Sequence, residues 1–246
     1  MEVYAMKSLT ELLQAMPYPG RVVIVGALAG GQQCVLYAIT GRSPSSQARR
    51  LEIDAMEQKI FVRPTDEETL RTGNPDLLVY EAIMCGKDGI AVSNGKQTTD
   101  VFSALRAGAH AAPVLLAGLA GWEYEPDEPN WTPRISGCIT DGGGLSVLKR
   151  AGNGGVLRNT FEFPLIAGQG RMVATYTGEN ANPLPSFAGE PRILALPFAS
   201  AQEAAEALFE ALAPSAGAPD FRVAAAAAVK SHSGAVSLQV KNRHAE

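Results

Sequence analysis

The chain has 246 residues, of which 46% are hydrophobic and 19% are charged, and this balance excludes disorder for most of its length. Its 21 lysines and arginines stand against 25 aspartates and glutamates, giving a formal net charge of -4, so no overall positive field exists to bind a nucleic acid. An anionic ligand would therefore need a local cluster of basic side chains.

The cysteines and histidines are too few and too scattered to predict a metal site or a disulfide framework. Cys34, Cys85 and Cys138 form no Cys-x-x-Cys pair, and the three histidines form no His-x-x-x-His pair. The first twenty residues lack the apolar core of a secretory signal, and no stretch of about 18 apolar residues occurs elsewhere. We therefore expect a cytoplasmic protein with no metal and no membrane partner.

The first half of the chain predicts one helix, a series of strands and a second helix. Leu9, Leu12, Leu13 and Met16 share one helical face, and the prolines at 17 and 19 end that helix. Residues 21 to 64 contain four Val- and Ile-rich segments, which predict an antiparallel meander, and residues 76–84 and 89–94 predict two more strands. A helix is expected over 98–110, with Thr99 or Asp100 as its N-cap.

The second half repeats the sheet pattern and ends ambiguously. Four strands are predicted over 134–140, 145–150, 157–163 and 171–177, and Ser200 with Glu203 predicts a capped helix from Ser200 to Leu212. Residues 221–230 and 235–240 fit either a hairpin or a helix, and the polar tail 241–246 is expected to fray. The apolar runs 111–120 and 223–229 are expected to be buried core.

Many strands with few, segregated helices predict an α+β fold in which two sheets pack face to face and helices cover the outside. Because no linker-like boundary interrupts the pattern, we expect a single domain over 1–246. Within it, residues 1–17 form an N-terminal helical extension, and residues 197–246 hold the C-terminal helix and a poorly assigned tail.

The loop from Thr40 to Arg50 carries a concentration of cationic and hydroxyl side chains between two predicted strands. Guanidinium groups bind phosphate in two-point geometry, and hydroxyls add hydrogen bonds, so the loop suits an anion, although a solvated turn would have the same composition. The residues concerned are Arg42, Ser43, Ser45, Ser46, Arg49 and Arg50.

Three other polar segments are candidates for a site. Asn74 precedes a proline and Tyr80 lies on the strand that follows, which a turn and a core tyrosine would also explain. Asn94-Gly95 is a strong hairpin signal just before a helix N-terminus. The loop WEYEPDEPNWTPR is stiff and acidic, and it predicts either a carboxyl of raised pKa or an exposed acidic loop.

Common catalytic signatures are missing from the sequence. It contains no P-loop, no Rossmann glycine pattern opening a strand-helix-strand unit, and no Gly-x-Ser-x-Gly elbow. Catalysis would therefore have to rely on arginine, asparagine, tyrosine and carboxylate groups.

Five segments taken in order resemble the IMP cyclohydrolase family, both the archaeal stand-alone type and its bacterial relatives. The segments are YPGRVVIVG, YAITGRSPSSQAR, GNPDLLVY, VSNGKQTTD and EYEPDEPNWTPRI, and the resemblance continues more faintly through RMVATYTGENANPLPSFAGEP. It implies a four-layer αββα sandwich like that of the N-terminal-nucleophile hydrolases.

The implied reaction is the dehydrative closure of 5-formamidoimidazole-4-carboxamide ribotide (FAICAR) to inosine monophosphate (IMP) in purine biosynthesis. The implied partners are these purine ribonucleotides, with AICAR as an analogue, and a homo-oligomer of the chain itself. No cofactor is implied, because the ring closes within one molecule.

By motif position, the resemblance implies that Tyr80, Glu125 and Arg49 are catalytic. Glu125 would shuttle a proton, Tyr80 would donate a hydrogen bond or a proton to the formyl oxygen, and Arg49 would stabilise charge. Trp131 interrupts the family's Asn-Thr-Pro-Arg order in this chain. The implied substrate-binding residues are Arg21, Arg42, Ser43, Asn74, Asn94, Gly95, Thr132 and Arg134.

Two other functions compete with this interpretation. An amide hydrolase on the same fold would need a nucleophile such as Cys34, although a position inside a strand favours a packing role for that residue. A non-catalytic protein that binds purine nucleotides would keep the phosphate loop without the chemistry.

Overall fold

The computed structural model describes residues 6–66 and 79–244, and this part of the chain contains thirteen strands and five α-helices. The helices are α1 (Leu9–Gln14), α2 (Pro44–Gln47), α3 (Gln97–Ala104), α4 (Ala111–Gly118) and α5 (Ala201–Ala211). The first six strands are β1 (Arg21–Ala27), β2 (Gln33–Thr40), β3 (Arg49–Asp54), β4 (Lys59–Pro64), β5 (Tyr80–Gly86) and β6 (Gly89–Ser93). The others are β7 (Arg134–Ile139), β8 (Gly143–Arg150), β9 (Val156–Phe163), β10 (Gln169–Ala174), β11 (Arg192–Ala195), β12 (Arg222–Lys230) and β13 (Val236–Asn242).

The strands form two antiparallel sheets. One has six strands in the order β11-β10-β1-β2-β12-β13, and the other has seven in the order β3-β4-β5-β6-β7-β8-β9. The predicted meander from residue 21 is therefore wrong as a single unit, because the chain leaves the first sheet after β2 and enters the second at β3. The loop 41–48 makes this crossing and contains Arg42 with the three serines singled out in the sequence, whereas Arg49 and Arg50 already belong to β3.

The sheets pack face to face, and helices lie on the seven-stranded sheet's other face. Strand β1 contacts β7 and β8, and β2 contacts β5 and β6. On β6, Ile90 and Val92 join the core between the sheets, whereas Ala91 packs with α3 and α4. This alternation follows from the two-residue period of a strand, which points successive side chains to opposite faces. On the six-stranded sheet, α5 packs against β2, β12 and β13.

Two details of the helices correct the sequence predictions. Helix α3 begins at Gln97 after Lys96, so neither Thr99 nor Asp100 caps it. The run 111–120 is not wholly buried core: it contains α4, which buries one face and leaves the Leu116 side chain 58% exposed. An outer helix needs only one apolar face, and the alanine-rich sequence hides this amphipathicity.

The C-terminal segment is a hairpin, which decides the alternative that the sequence leaves open. Strand β12 pairs with β2 on one side and with β13 on the other, and its alanines from 224 to 228 are fully buried. The expectation that the tail frays from Lys241 is wrong, since Lys241 and Asn242 belong to β13. The Asn242 side chain bonds the backbone N–H and C=O of Leu51 at 2.8 and 3.0 Å, joining the edges of the two sheets.

In the described part of the chain, no helix has the length and apolar character needed to span a membrane.

Candidate active site

A cavity of about 220 Å³ lies between the ends of strands from both sheets. In an antiparallel sheet the start of one strand adjoins the end of its neighbour, so residues distant in sequence meet at one rim. The first sheet contributes the start of β1 and the residues after β2 and β10, and the second contributes the start of β3 and the residues after β6. The lining residues are Tyr18, Arg21, Arg42, Ser43, Ser46, Arg49, Asn94, Glu125, Asp127, Asn130, Thr132, Thr175, Tyr176 and Leu184.

Two arginines at strand starts form a cationic wall of the cavity. The Arg21 guanidinium donates to the Thr40 carbonyl at 2.9 Å, which fixes it at the end of β2. Arg49 is only 9% exposed, and its Nε has no hydrogen-bond partner within the described residues. Burial, reinforced by the nearby Arg21 cation, lowers the pKa of Arg49 to about 10, so the group stays charged at neutral pH. A buried cation with an unused donor favours an anionic or carbonyl ligand.

Arg42 and two serines lie in the crossing loop at the cavity wall. The Arg42 guanidinium stacks over the Tyr18 ring at 5.0 Å and donates to Asn180 Oδ1 at 2.9 Å. The exposed Ser43 caps the short helix α2 and donates its hydroxyl to Ser46 Oγ at 2.9 Å. These contacts hold cationic and hydroxyl donors close together, an arrangement that suits a phosphate group.

The acidic loop places one carboxyl inside the cavity. Glu125 is anchored by its backbone N–H, which donates to the Thr132 carbonyl at 2.9 Å, and its side chain is 12% exposed. Burial raises the pKa of Glu125 to about 7, although the cations Arg134 and Arg21 oppose this rise. The sequence prediction of a carboxyl with a raised pKa in this loop is confirmed. Such a group can both accept and release a proton near neutral pH.

The Asn94-Gly95 turn is not a hairpin, because it connects β6 to helix α3. The Asn94 side chain accepts from the Ile135 N–H at 2.9 Å and donates to the Pro133 carbonyl at 2.9 Å, which holds the end of β6 against β7. Its Oδ1 also accepts from Gln97 Nε2 at 2.9 Å. Because an amide side chain has four hydrogen-bonding positions and three are used, one amide hydrogen is left for a ligand. Asn94 therefore supports the rim and also lines the cavity.

Gly95 matters because it lies against the arginine that faces Glu125. Arg134 Nη1 is 3.7 Å from Glu125 Oε1 and donates to Gln97 Oε1 at 3.1 Å. A Cβ at Gly95 would lie 2.7 Å from both Arg134 Nη1 and Gln97 Oε1, closer than packing allows. The absence of a side chain at Gly95 thus permits the Arg134–Glu125 contact.

Thr132 connects the acidic loop to the other sheet. Asp127 accepts hydrogen bonds from the Thr132 backbone N–H, at 2.6 Å, and from its hydroxyl. The same hydroxyl lies 2.6 Å from the Tyr176 hydroxyl. Gly20 has a φ of +73°, and a Cβ there would collide with the Thr175 side chain and the Tyr176 ring, so glycine permits this close approach.

Tyr80 is not among the residues that line the cavity. It is 2% exposed, and its hydroxyl forms a 2.7 Å hydrogen bond with that of Tyr37, joining β5 to β2 across the sheets. The two tyrosines interact electrostatically with Arg21 and Arg49, so they lie close to the cationic wall.

The structure brings most of the sequence-predicted residues to one place. Arg21, Arg42, Ser43, Arg49, Asn94, Glu125 and Thr132 line the cavity. Arg134 contacts Glu125 and Gly95 lies against Arg134, although neither lines the cavity, whereas Arg50 pairs with Glu52 at 2.6 Å instead. Asn74 lies outside the described residues.

The sequence motifs did not assign Tyr18, Thr175, Tyr176 or Leu184 to the site, although each lines the cavity. The segments that resemble the family contain all four, because Tyr18 begins the first of these segments and the other three residues lie in the later segment with the fainter resemblance. Asn130, which Trp131 separates from Thr132 in this chain, also lines the cavity, and Trp131 takes a φ of +45°.

The fold and the site define an α+β protein with a carboxyl- and arginine-lined pocket between two antiparallel sheets. A comparison with protein-family models matches residues 18–234 to the family described as IMP cyclohydrolase-like protein. Because the match covers most of the chain, this protein belongs to the IMP cyclohydrolase-like family. The match extends well beyond Ile135 and includes the segment that contributes Thr175 and Tyr176. A comparison with curated proteins found no match.

Proposed function

We propose that this protein is an IMP cyclohydrolase that closes FAICAR to IMP in purine biosynthesis. The observation that carries the proposal is Glu125, a buried carboxyl with a pKa of about 7 that faces a group of arginines in one cavity. Family membership agrees with this role. The two sheets and the helices packed on them also agree with a four-layer αββα sandwich like that of the N-terminal-nucleophile hydrolases.

The reaction requires proton movement and orientation, and the cavity offers groups for both. The carboxamide nitrogen bonds to the formyl carbon and gives a proton to Glu125, which passes this proton to the formyl oxygen, so that the oxygen becomes a hydroxyl and the carboxylate is regenerated. That hydroxyl then leaves as water, taking the proton of the former formamide nitrogen. A positioned acid-base group contributes about 10² to 10⁴-fold to such a step, and orientation adds several kcal/mol.

The cations divide between the two ends of the substrate. Arg49, with its unused Nε donor, stabilises the negative charge that grows on the formyl oxygen. Arg42, with Ser43 and Ser46, binds the phosphate, because these donors adjoin one another on one wall. Asn94 offers its remaining amide hydrogen to the base.

In this scheme, Tyr80 acts through the arginines of the cationic wall. Its hydroxyl is bonded to that of Tyr37 and does not line the cavity, so we assign it the positioning of Arg21 and Arg49 rather than direct contact with the formyl oxygen. Tyr37→Phe should then lower the rate in parallel with Tyr80→Phe, because either change breaks the same hydrogen bond. A full rate in Tyr37→Phe with a low rate in Tyr80→Phe would return Tyr80 to direct catalysis.

The decisive experiment is a turnover assay with purified protein and FAICAR, in EDTA and without folate. We expect IMP, detected by chromatography, to form well above the buffer blank. Formation at the blank rate would refute the proposal.

A non-catalytic nucleotide-binding protein is the second candidate, because the expected catalytic tyrosine is not presented to the cavity. Thermal stabilisation by IMP or AICAR without turnover would select it. The amide hydrolase is disfavoured, since Cys34 is fully buried and burial raises the pKa of its thiol to about 12.

A further inference from the structure

The hydrogen bonds around Thr132 have only one consistent direction. Thr132 has a single hydroxyl proton and donates it to the Asp127 carboxylate, which only accepts. The Tyr176 hydroxyl must therefore be the donor in its 2.6 Å bond to Thr132. With its proton committed, the Tyr176 oxygen can offer only lone pairs to the cavity that it lines.

The Tyr176 hydroxyl keeps that proton at neutral pH. Burial raises the pKa of Tyr176, although its hydrogen bond with Thr132 opposes the rise. Asp127 also lines the cavity with an acceptor-only group. Tyr176 and Asp127 therefore form an acceptor surface within a cavity whose other groups are mainly donors, and such a surface selects ligand O–H or N–H groups while repelling phosphate.

This acceptor surface lies between the residues proposed to bind the phosphate and those proposed to act on the base. The ring centroids of Tyr176 and Tyr18 are 5.9 Å apart in a stacked arrangement. The Tyr18 ring in turn lies under Arg42, which we propose binds the phosphate. Through its hydroxyl, Tyr176 contacts Thr132, whose carbonyl anchors Glu125. In a nucleotide, the group between the phosphate and the base is the sugar.

We propose that Tyr176 and Asp127 form a ribose subsite that accepts hydrogen bonds from the sugar hydroxyls and so selects ribonucleotides over deoxyribonucleotides. This inference rests on the proposed function, since it takes its substrate class from it. Thr132 is a positioning residue here, because it orients the Tyr176 hydroxyl. A site built around such hydrogen bonds rejects an analogue that lacks the hydroxyl, because its buried acceptors then lose their partner.

The test measures binding rather than turnover, with IMP, 2′-deoxy-IMP and 3′-deoxy-IMP as probes in isothermal titration calorimetry. The wild-type protein should bind IMP about tenfold more tightly than at least one deoxy analogue, as expected for the loss of one hydrogen bond in a buried site. Tyr176→Phe should weaken IMP binding by about that factor and reduce the preference, since the Asp127 acceptor remains. Thr132→Val should also reduce the preference, because it removes the group that orients the tyrosine.

Tyr124→Phe is the matched control, because its hydroxyl donates to the Gly154 carbonyl at 3.0 Å and does not line the cavity. It should keep the full ribose preference. Melting temperatures of all variants would separate loss of the subsite from loss of the fold, and if Tyr176→Phe does not fold, Thr132→Val carries the test.

The outcomes separate this inference from the proposed function. Equal binding of IMP and both deoxy analogues by an active enzyme would overturn the ribose subsite and leave cyclisation standing. A ribose preference that depends on Tyr176, in a protein that does not convert FAICAR, would support the subsite and refute cyclisation. Failure of the wild-type protein to bind IMP would overturn the subsite.

Discussion

Replacing Glu125 with glutamine separates the chemical role of this carboxyl from its effect on stability. Glutamine has nearly the same shape and mimics the protonated acid, but it cannot take up a proton. If Glu125 is the proton shuttle, Glu125→Gln should lower kcat by about 10² to 10⁴-fold, the range for a positioned acid-base group. FAICAR turnover measured at saturating substrate would give this value.

The pH dependence of the wild-type rate is a second test of the role of Glu125. Because burial raises the pKa of Glu125 to about 7, the deprotonated base becomes the major form only above that pH. The rate, measured as kcat/KM, should therefore rise with pH up to about 7 and then level off. In Glu125→Gln the residual rate should lose this rise.

The same pKa predicts that the substitution stabilises the fold. The ordinary pKa of a glutamate is 4.5 and that of folded Glu125 is about 7, so the folded protein binds more protons than the unfolded chain between these pH values. Stability is therefore lost as pH rises through this window, by on the order of 3 kcal/mol, since a pKa difference of one corresponds to about 1.4 kcal/mol. Glu125→Gln should avoid this loss.

At pH 8, the variant should therefore melt roughly 6 to 12 °C above the wild type, and the difference should disappear near pH 4.5. Glu123→Gln is the control, because Glu123 is exposed in the same loop and does not line the cavity. It should change neither rate nor melting. A Glu125→Gln enzyme with the wild-type rate, or one less stable than the wild type at pH 8, would refute this account of the site.

Three further substitutions test other parts of the cavity. Arg42→Ala should weaken IMP binding by at least about tenfold, as loss of a charge-assisted bond implies, whereas Arg50→Ala should not; equal effects in calorimetry would count against a phosphate site at the crossing loop. Gly95→Ala should displace Arg134 from the catalytic carboxyl and move the acidic limb of the kcat/KM profile to higher pH, and an unchanged profile would contradict that contact. Tyr80→Phe should lower kcat by about tenfold or more with little change in IMP affinity, and a wild-type kcat would remove Tyr80 from the mechanism.

The sequence predicted those elements whose pattern is complete within a few residues. Helix α1 follows from leucines on one face and from the prolines after it, and α5 follows from its Ser200 cap, whose side chain accepts from the Glu203 N–H. Strands β1 to β10 were also predicted, because runs rich in valine and isoleucine between turn residues are local signals. The four-residue strand β11 was missed, and β12 and β13 were left open between a hairpin and a helix.

The alanine-rich segment of β12 has a secondary structure that its local sequence does not determine. Alanine favours helices, yet Ala224 to Ala228 form the strand β12. Pairing with β2 and β13 supplies the hydrogen bonds, and small side chains let α5 and the opposite sheet approach closely. These partners lie far away in the sequence or are themselves ambiguous, so the segment alone could not decide between helix and strand.

The residues of the candidate site also fall into two groups, those that the sequence identified and those that only the structure revealed. The resemblance to the family's motifs was enough to pick out Arg42, Arg49, Asn94 and Glu125, which the structure places around one cavity. It was not enough to find Tyr176, whose hydroxyl reaches the site only because β10 pairs with β1. It also could not show that Tyr80 turns towards Tyr37.

What the sequence determined by itself was therefore an inventory of strands, helices and reactive groups. The tertiary structure decided which strand ends share a rim and how far each group is removed from water. Burial and neighbouring charge depend on contacts across two sheets, and these set the pKa of Glu125 and the direction of the hydrogen bonds from Tyr176 to Asp127.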